Sequence, residues 1–174
     1  MVAKEQQQLG GWVQAAGTVF AAIGSTPALK LPAECQDNLQ LIGNVMQATG
    51  NALQVDEISI TDMDSLANEI QAAGNITEVA ALQLHIDEAL QNQLNTQGNV
   101  LQALGGSISF MQARQQAMSI DIIYNGYGNL LQVIGNSLQA LSSQLKQQAE
   151  SVNTIGNWIQ AIGAIMTALA NELD

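Results

Sequence analysis

The chain has 174 residues, a hydrophobic fraction of 47% and a formal net charge of −11. Its 4 lysines and arginines are scattered among 15 acidic residues, which excludes a nucleic-acid partner and disfavours anionic membrane surfaces. Charged residues make up only 11%, and the missing polarity comes from Asn and Gln, roughly one residue in five. We therefore expect an uncharged amide surface that protects the protein poorly against self-association.

The N-terminus has no apolar run behind Lys4, and Cys35 is the single cysteine. Neither a signal peptide nor an internal disulfide is predicted from these features. The simplest expectation is a cytoplasmic protein.

One segment recurs six times along the chain, on glycines seven residues apart. The copies, with positions a to g and a′, begin at Gly10, Gly43, Ala67, Gly98, Gly128 and Gly156. Position d is apolar in every copy. Position e is always glutamine: Gln14, Gln47, Gln71, Gln102, Gln132 and Gln160. Position a′ is always glycine: Gly17, Gly50, Gly74, Gly105, Gly135 and Gly163. The mean spacing of about 29 residues suits one helix and a short connection per copy.

Helical spacing explains where the apolar residues of each copy fall. They occupy positions c, d and g, which do not alternate as strand residues would. On a helical wheel they cover one wide arc, with the glycines along one edge and an amide ladder of Asn and Gln on the remaining wedge. Glycine inside a helix costs on the order of 1 kcal/mol, so we interpret the a′ glycines as positions of close helix packing. The ladder is expected to hydrogen-bond across helices and set their register.

Breakers along the chain divide it into six predicted helices. Pro32 suits the start of the second helix, and Thr61 with Asp64 resembles a capping box before the third. The dipeptide Asn125–Gly126 is a turn signal before the fifth, and the poorly marked break before the fourth is placed at 92–96. The expected helices are roughly 3–24, 33–55, 62–91, 95–120, 127–148 and 151–172.

The prediction is thus a single all-α domain, residues 1–174, of six antiparallel helices. It forms either a compact bundle or an open helical array. Trp12 and Trp158 share position c in the first and last copies. They are interpreted either as markers of the two ends of the array or as ordinary core residues.

The first copy opens with residues 10–27, and the last copy contains residues 155–163. Both segments resemble a family of short repetitive proteins from spore-forming bacteria, which is classed as a domain of unknown function. The similarity spans nearly the whole chain, although the third copy departs from the pattern at Glu69 and Glu78. The resemblance implies a bacterial structural protein and supplies no catalytic residues.

No constellation with known chemistry stands out. His85 and Glu88 share a helix face, but a di-metal bundle needs two such pairs and the chain has one histidine. Cys35 has no evident partner for catalysis, and no phosphate-binding loop is present. We therefore predict no catalytic, cofactor-binding or metal residues, and a protein that is not an enzyme.

Three functional hypotheses remain. The preferred one is a structural or scaffolding protein that self-associates, as a homo-oligomer, through glycine-grooved apolar helix faces. The second is a membrane-active, pore-forming-like protein, because small-residue grooves also pack helices in lipid. The third is a small-molecule-binding bundle whose apolar cavity is lined by Met46, Met111 and Met166.

Overall fold

The structure, a computed structural model, describes residues 4–55, 62–145 and 148–173. These residues form six α-helices and a 3-10 turn at Pro27–Leu29, as an all-α protein was predicted to do. The helices are α1 Lys4–Gly24, α2 Ala33–Leu53, α3 Met63–Gln83, α4 Glu88–Ala113, α5 Ile120–Ser142 and α6 Ala149–Leu173.

The helices close into a ring. Each helix packs against the next one along the chain, and α6 packs against α1. The most extensive contacts lie within three antiparallel hairpins, α1–α2, α3–α4 and α5–α6. Of the two predicted arrangements, the structure has the closed one.

The predicted break between the third and fourth helices is wrong. The break lies at 84–87, and the residues 92–96 belong to α4. The reason is a helix cap: Asp87 has extended backbone, and its side chain accepts a hydrogen bond from the N–H of Leu90 at 2.9 Å. An aspartate in this position satisfies an amide that the first helical turn leaves unpaired.

The predicted start of the fifth helix is also wrong, because α5 begins at Ile120 and runs through Asn125–Gly126. Asn125 accepts a hydrogen bond from the Nδ2 of Asn129 at 2.6 Å, and Gly126 is buried beside Ala113 of α4. Packing against α4 therefore holds a turn-forming dipeptide in a helix. Of the capping box predicted before α3, Thr61 lies outside the described residues, and Asp62 caps the helix by accepting from the N–H of Asp64 at 3.2 Å.

Amide side chains are buried in the ring and large apolar side chains are exposed, which differs from the amide surface expected from the sequence. Among the described residues, every buried apolar side chain is an alanine. The largest fully buried side chains are instead amides: Gln47, Gln132, Asn51, Asn75 and Asn136. Because the hairpin contacts follow the glycine edge of each helix, the adjoining amide wedge points into the ring and the wide apolar arc is left outside. The amide ladder of the repeat therefore lies inside, while other amides such as Gln93 remain at the surface.

Candidate functional site: the amide-filled interior of the ring

The glycines at a and a′ lie at reciprocal backbone contacts inside the hairpins. A Cβ on Gly17 would lie 2.6 Å from the carbonyl oxygen of Gly43, and a Cβ on Gly43 would lie 2.6 Å from that of Gly17. The same reciprocity joins Gly10 with Gly50, Gly74 with Gly98, Gly128 with Gly163 and Gly135 with Gly156. At the remaining contact, Gly105 faces the carbonyl of Ala67 at the same 2.6 Å. A side chain at these positions would force the paired backbones apart.

The six glutamines at position e form a central amide layer, each at most 6% exposed. Gln14 donates its Nε2 to the Oε1 of Gln132 at 2.9 Å, which joins α1 to α5 across the ring. Gln160 of α6 donates to both Gln47 of α2 and Gln102 of α4, each at 2.9 Å. The sixth member, Gln71, is 4% exposed. Hydrogen bonds between buried amides thus fill the centre of the ring.

A further hydrogen bond links the two helices of each hairpin. It joins the central-layer glutamine of one helix to a residue of the other helix, seven positions after that helix's own central-layer glutamine. In α1–α2, Gln54 donates to Gln14 at 3.2 Å, and in α5–α6, Gln139 donates to Gln160 at 2.9 Å. In α3–α4 the corresponding residue is a carboxylic acid, Glu78, which accepts from Gln102 at 3.0 Å. The irregular third copy therefore places its acid at a position that the other hairpins fill with an amide.

Glu78 lies in the interior with 7% of its surface exposed. Burial raises its pKa to about 8 from an ordinary 4.5, and hydrogen bonds from Asn44, Asn99 and Gln102 act in the opposite direction. Removing a carboxylate from water favours its protonated form. Glu78 is therefore mostly neutral near pH 7.

Two cavities open on either side of the central amide layer and share no lining residue. The Gln7 cavity, of about 270 Å³, lies at the end where α1 begins and is lined largely by amides, with Asp64 and Asp121 among them. The Glu78 cavity, of about 300 Å³, lies at the other end of the ring. Met46, Met111 and Met166, which were expected to line an apolar cavity, line neither of these two.

The comparisons with known proteins agree with the resemblance in the sequence. The model of a family of unknown function, DUF6944, matches residues 5–168. The chain belongs to this family. No curated protein and no solved structure gives a significant match.

The two tryptophans of the DUF6944 chain lie on the seam between its first and last helices. The Nε1 of Trp12 in α1 donates to the Oε1 of Glu172 in α6 at 3.1 Å. The Nε1 of Trp158 in α6 donates to the Oγ1 of Thr26, just after α1, at 3.0 Å. Both side chains are about two-fifths exposed, at 40% and 39%. They therefore mark the closure of a ring, and the interpretation as two free ends of an array is wrong.

The outer wall of the DUF6944 ring is apolar and largely uncharged. Large apolar side chains are exposed on all six helices, and we call those midway along the helices the outer belt: Ile76, Val100, Leu104, Ile134 and Ile162. Within the helices, charged residues lie near the ends, apart from Glu69 and Glu78 of α3. Neither of these two is exposed. In the part of the chain that the structure describes, no helix is long and apolar enough to cross a membrane.

Proposed function

We propose that this protein is a non-enzymatic structural element that self-associates through its outer belt. The observation that supports it is the inverted arrangement of side chains, with amides inside and large apolar residues outside. The inward faces of the helices carry the central amide layer and its flanking asparagines, so the apolar arcs lie on the outside of the ring. Another surface must cover them.

The spread of exposed apolar side chains around the ring argues for a partner. Monomeric proteins rarely expose contiguous apolar patches larger than about a few hundred Å². Here exposed residues such as Val100, Ile134 and Ile162, each more than two-fifths exposed, lie on three different helices around the ring. Burying apolar area releases roughly 25 cal/mol per Å², so covering even part of this wall with a second copy gives a strong driving force for association.

The distribution of charge makes a second copy a suitable partner. A net charge of −11 would oppose association if it were spread over the wall. The helical charges instead lie towards the two ends of the ring, for example Glu5 and Glu172 at one end and Glu34 and Glu88 at the other. Side-by-side contact of two outer belts therefore brings apolar surfaces together without placing like charges in the interface.

Sedimentation velocity in detergent-free buffer tests this proposal. We expect the wild-type chain to sediment as concentration-dependent oligomers. Val100→Lys and Ile162→Lys place a charge in the outer belt and are expected to shift the population towards the monomer. Gln93→Lys adds the same charge at an exposed site near the start of α4 and is the matched control. A wild-type chain that stays monomeric at every concentration contradicts the proposal.

A second candidate function, membrane activity, is favoured by the position of the charges. In the described helices, charged residues lie near the ends, apart from Glu69 and Glu78, so that the apolar side chains of the outer belt form a largely uncharged wall. Lipid acyl chains would then cover the outer belt in place of a second copy. Flotation with neutral phosphatidylcholine vesicles distinguishes the two: co-flotation with dye release supports membrane activity, and oligomers that remain at the bottom of the gradient support self-association.

A further inference from the structure

The Glu78 cavity has a chemical character that the self-association of the outer wall does not use. Residues from all six helices line it, and α2, α4, α5 and α6 supply amides and hydroxyls, including Gln40, Asn44 and Asn157. Among the residues that the structure describes, the charged ones that line it are the acids Glu78 and Glu150. An anion would therefore meet two acids and no countercharge among the described lining residues.

One side-chain atom in the described wall of the cavity is an acceptor without a hydrogen-bond donor. The Oδ1 of Asn99 has no hydrogen-bond partner although the residue is only 6% exposed, and its Nδ2 is already used by the carbonyl of Asn95 at 2.9 Å. Glu78 beside it is also an acceptor when ionised. A buried acceptor without a donor costs about 1–3 kcal/mol, so a ligand that brings donors to this wall is favoured.

A primary ammonium group matches these requirements, since it has three N–H donors, no acceptor and a positive charge. We propose that the Glu78 cavity binds an organic primary-ammonium cation, with Glu78 and the Oδ1 of Asn99 receiving the ammonium group. Glu150, which is exposed and lines the same cavity, offers a second carboxylate to a diamine. The negative net charge of the chain raises the local concentration of such cations.

Binding is expected to release a proton. Glu78 is mostly protonated near pH 7 in the empty cavity, and its ionised form pairs with the incoming cation. The heat of binding should then depend on the ionisation enthalpy of the buffer.

Isothermal titration calorimetry of the full chain with putrescine tests the proposal. We expect saturable binding with one site per ring, and no binding of the neutral analogue 1,4-butanediol. Glu78→Gln should weaken putrescine binding by about 30-fold or more, because it removes the buried partner of the charge. It should also abolish the buffer dependence of the heat.

Glu5→Gln is the matched control, because it makes the same carboxyl-to-amide change at an exposed site at the opposite end of the ring. Thermal melting followed by circular dichroism verifies that Glu78→Gln is folded, as expected for an amide that the chain already uses at Gln54 and Gln139. Equal binding of putrescine and 1,4-butanediol overturns the proposal. So do equal losses in Glu78→Gln and Glu5→Gln, or no detectable binding at millimolar putrescine.

Discussion

Gln160 on α6 donates its Nε2 to the Oε1 of Gln47 on α2, 2.9 Å away across the interior of the ring. The same Nε2 donates to the Oε1 of Gln102 on α4, also at 2.9 Å. One buried amide therefore links all three hairpins. Its Oε1 is used as well, because it accepts from Gln139 within its own hairpin.

Replacing this amide should destabilise the whole ring. Gln160→Leu keeps the side-chain size but leaves the Oε1 atoms of Gln47 and Gln102 without their donor. We expect a loss of about 2–4 kcal/mol in the free energy of unfolding, measured by urea denaturation, because each orphaned buried group costs about 1–3 kcal/mol. Gln93→Leu, at an exposed site, should change it by less than about 0.5 kcal/mol. Equal effects of the two substitutions would contradict the linking role.

The glycine contacts should be sensitive to a single methyl group. Gly17→Ala places a Cβ 2.6 Å from the carbonyl oxygen of Gly43 and 2.9 Å from the backbone N of Gln47, neither of which can rotate away. We expect a loss of about 1–3 kcal/mol, as for other overpacked sites.

Gly126→Ala is the matched control for this glycine substitution. Its Cβ would meet only the Cβ of Ala113 at 3.5 Å, an ordinary contact. The higher helix propensity of alanine should then raise the free energy of unfolding by up to about 1 kcal/mol. If Gly17→Ala is also stabilising, the hairpins do not depend on close backbone approach.

Stability should fall as the pH rises through the pKa of Glu78. The folded pKa of about 8 lies above the ordinary 4.5, so the stabilising contribution is complete below about 4.5 and is lost as the pH rises through 8. The slope in this window is at most about 1.4 kcal/mol per pH unit. Urea denaturation across the range measures it.

Glu78→Gln should flatten the pH dependence, because a glutamine does not titrate. Part of the dependence of stability on pH should remain in the variant because of Asp64, whose pKa is also raised by burial. The lowered pKa values of Asp62 and Asp121, which are caused mainly by hydrogen bonds from Ser65 and Ser119, act below this window. An unchanged slope in Glu78→Gln would exclude Glu78 as its source.

The tryptophan seam should control the opening of the ring. Trp12→Phe and Trp158→Phe each remove one indole N–H that bonds across α1 and α6. We expect a loss of about 0.5–1.5 kcal/mol for each, the usual net worth of a hydrogen bond. Native-state hydrogen exchange should show lower protection in α1 and α6 and unchanged protection in α3 and α4. Tyr127→Phe, on the outer wall, is the control and should leave the seam unaffected.

The sequence by itself determined the local features of this protein. The period-seven pattern predicted six helices and located the first, second and last of them well, because helical spacing is written in neighbouring residues. The same pattern identified the glycines and glutamines that the structure places at hairpin contacts and in the central amide layer. The predicted starts of the fourth and fifth helices were wrong, at Asp87 and at Asn125–Gly126. The first depends on one capping residue and the second on packing against Ala113 of another helix.

Only the tertiary structure decided which face of each helix is inside. A helical wheel separates an apolar arc from an amide wedge, but both faces are able to pack, and burial normally favours the apolar one. Here the glycine contacts fix how each hairpin is rotated, and the contact of α1 with α6 closes the ring around the amides. These contacts join residues far apart in the chain, such as Trp12 with Glu172 and Gln14 with Gln132. No local pattern encodes them, which is why the amide interior, the apolar outer wall and the Glu78 cavity emerge only from the folded chain.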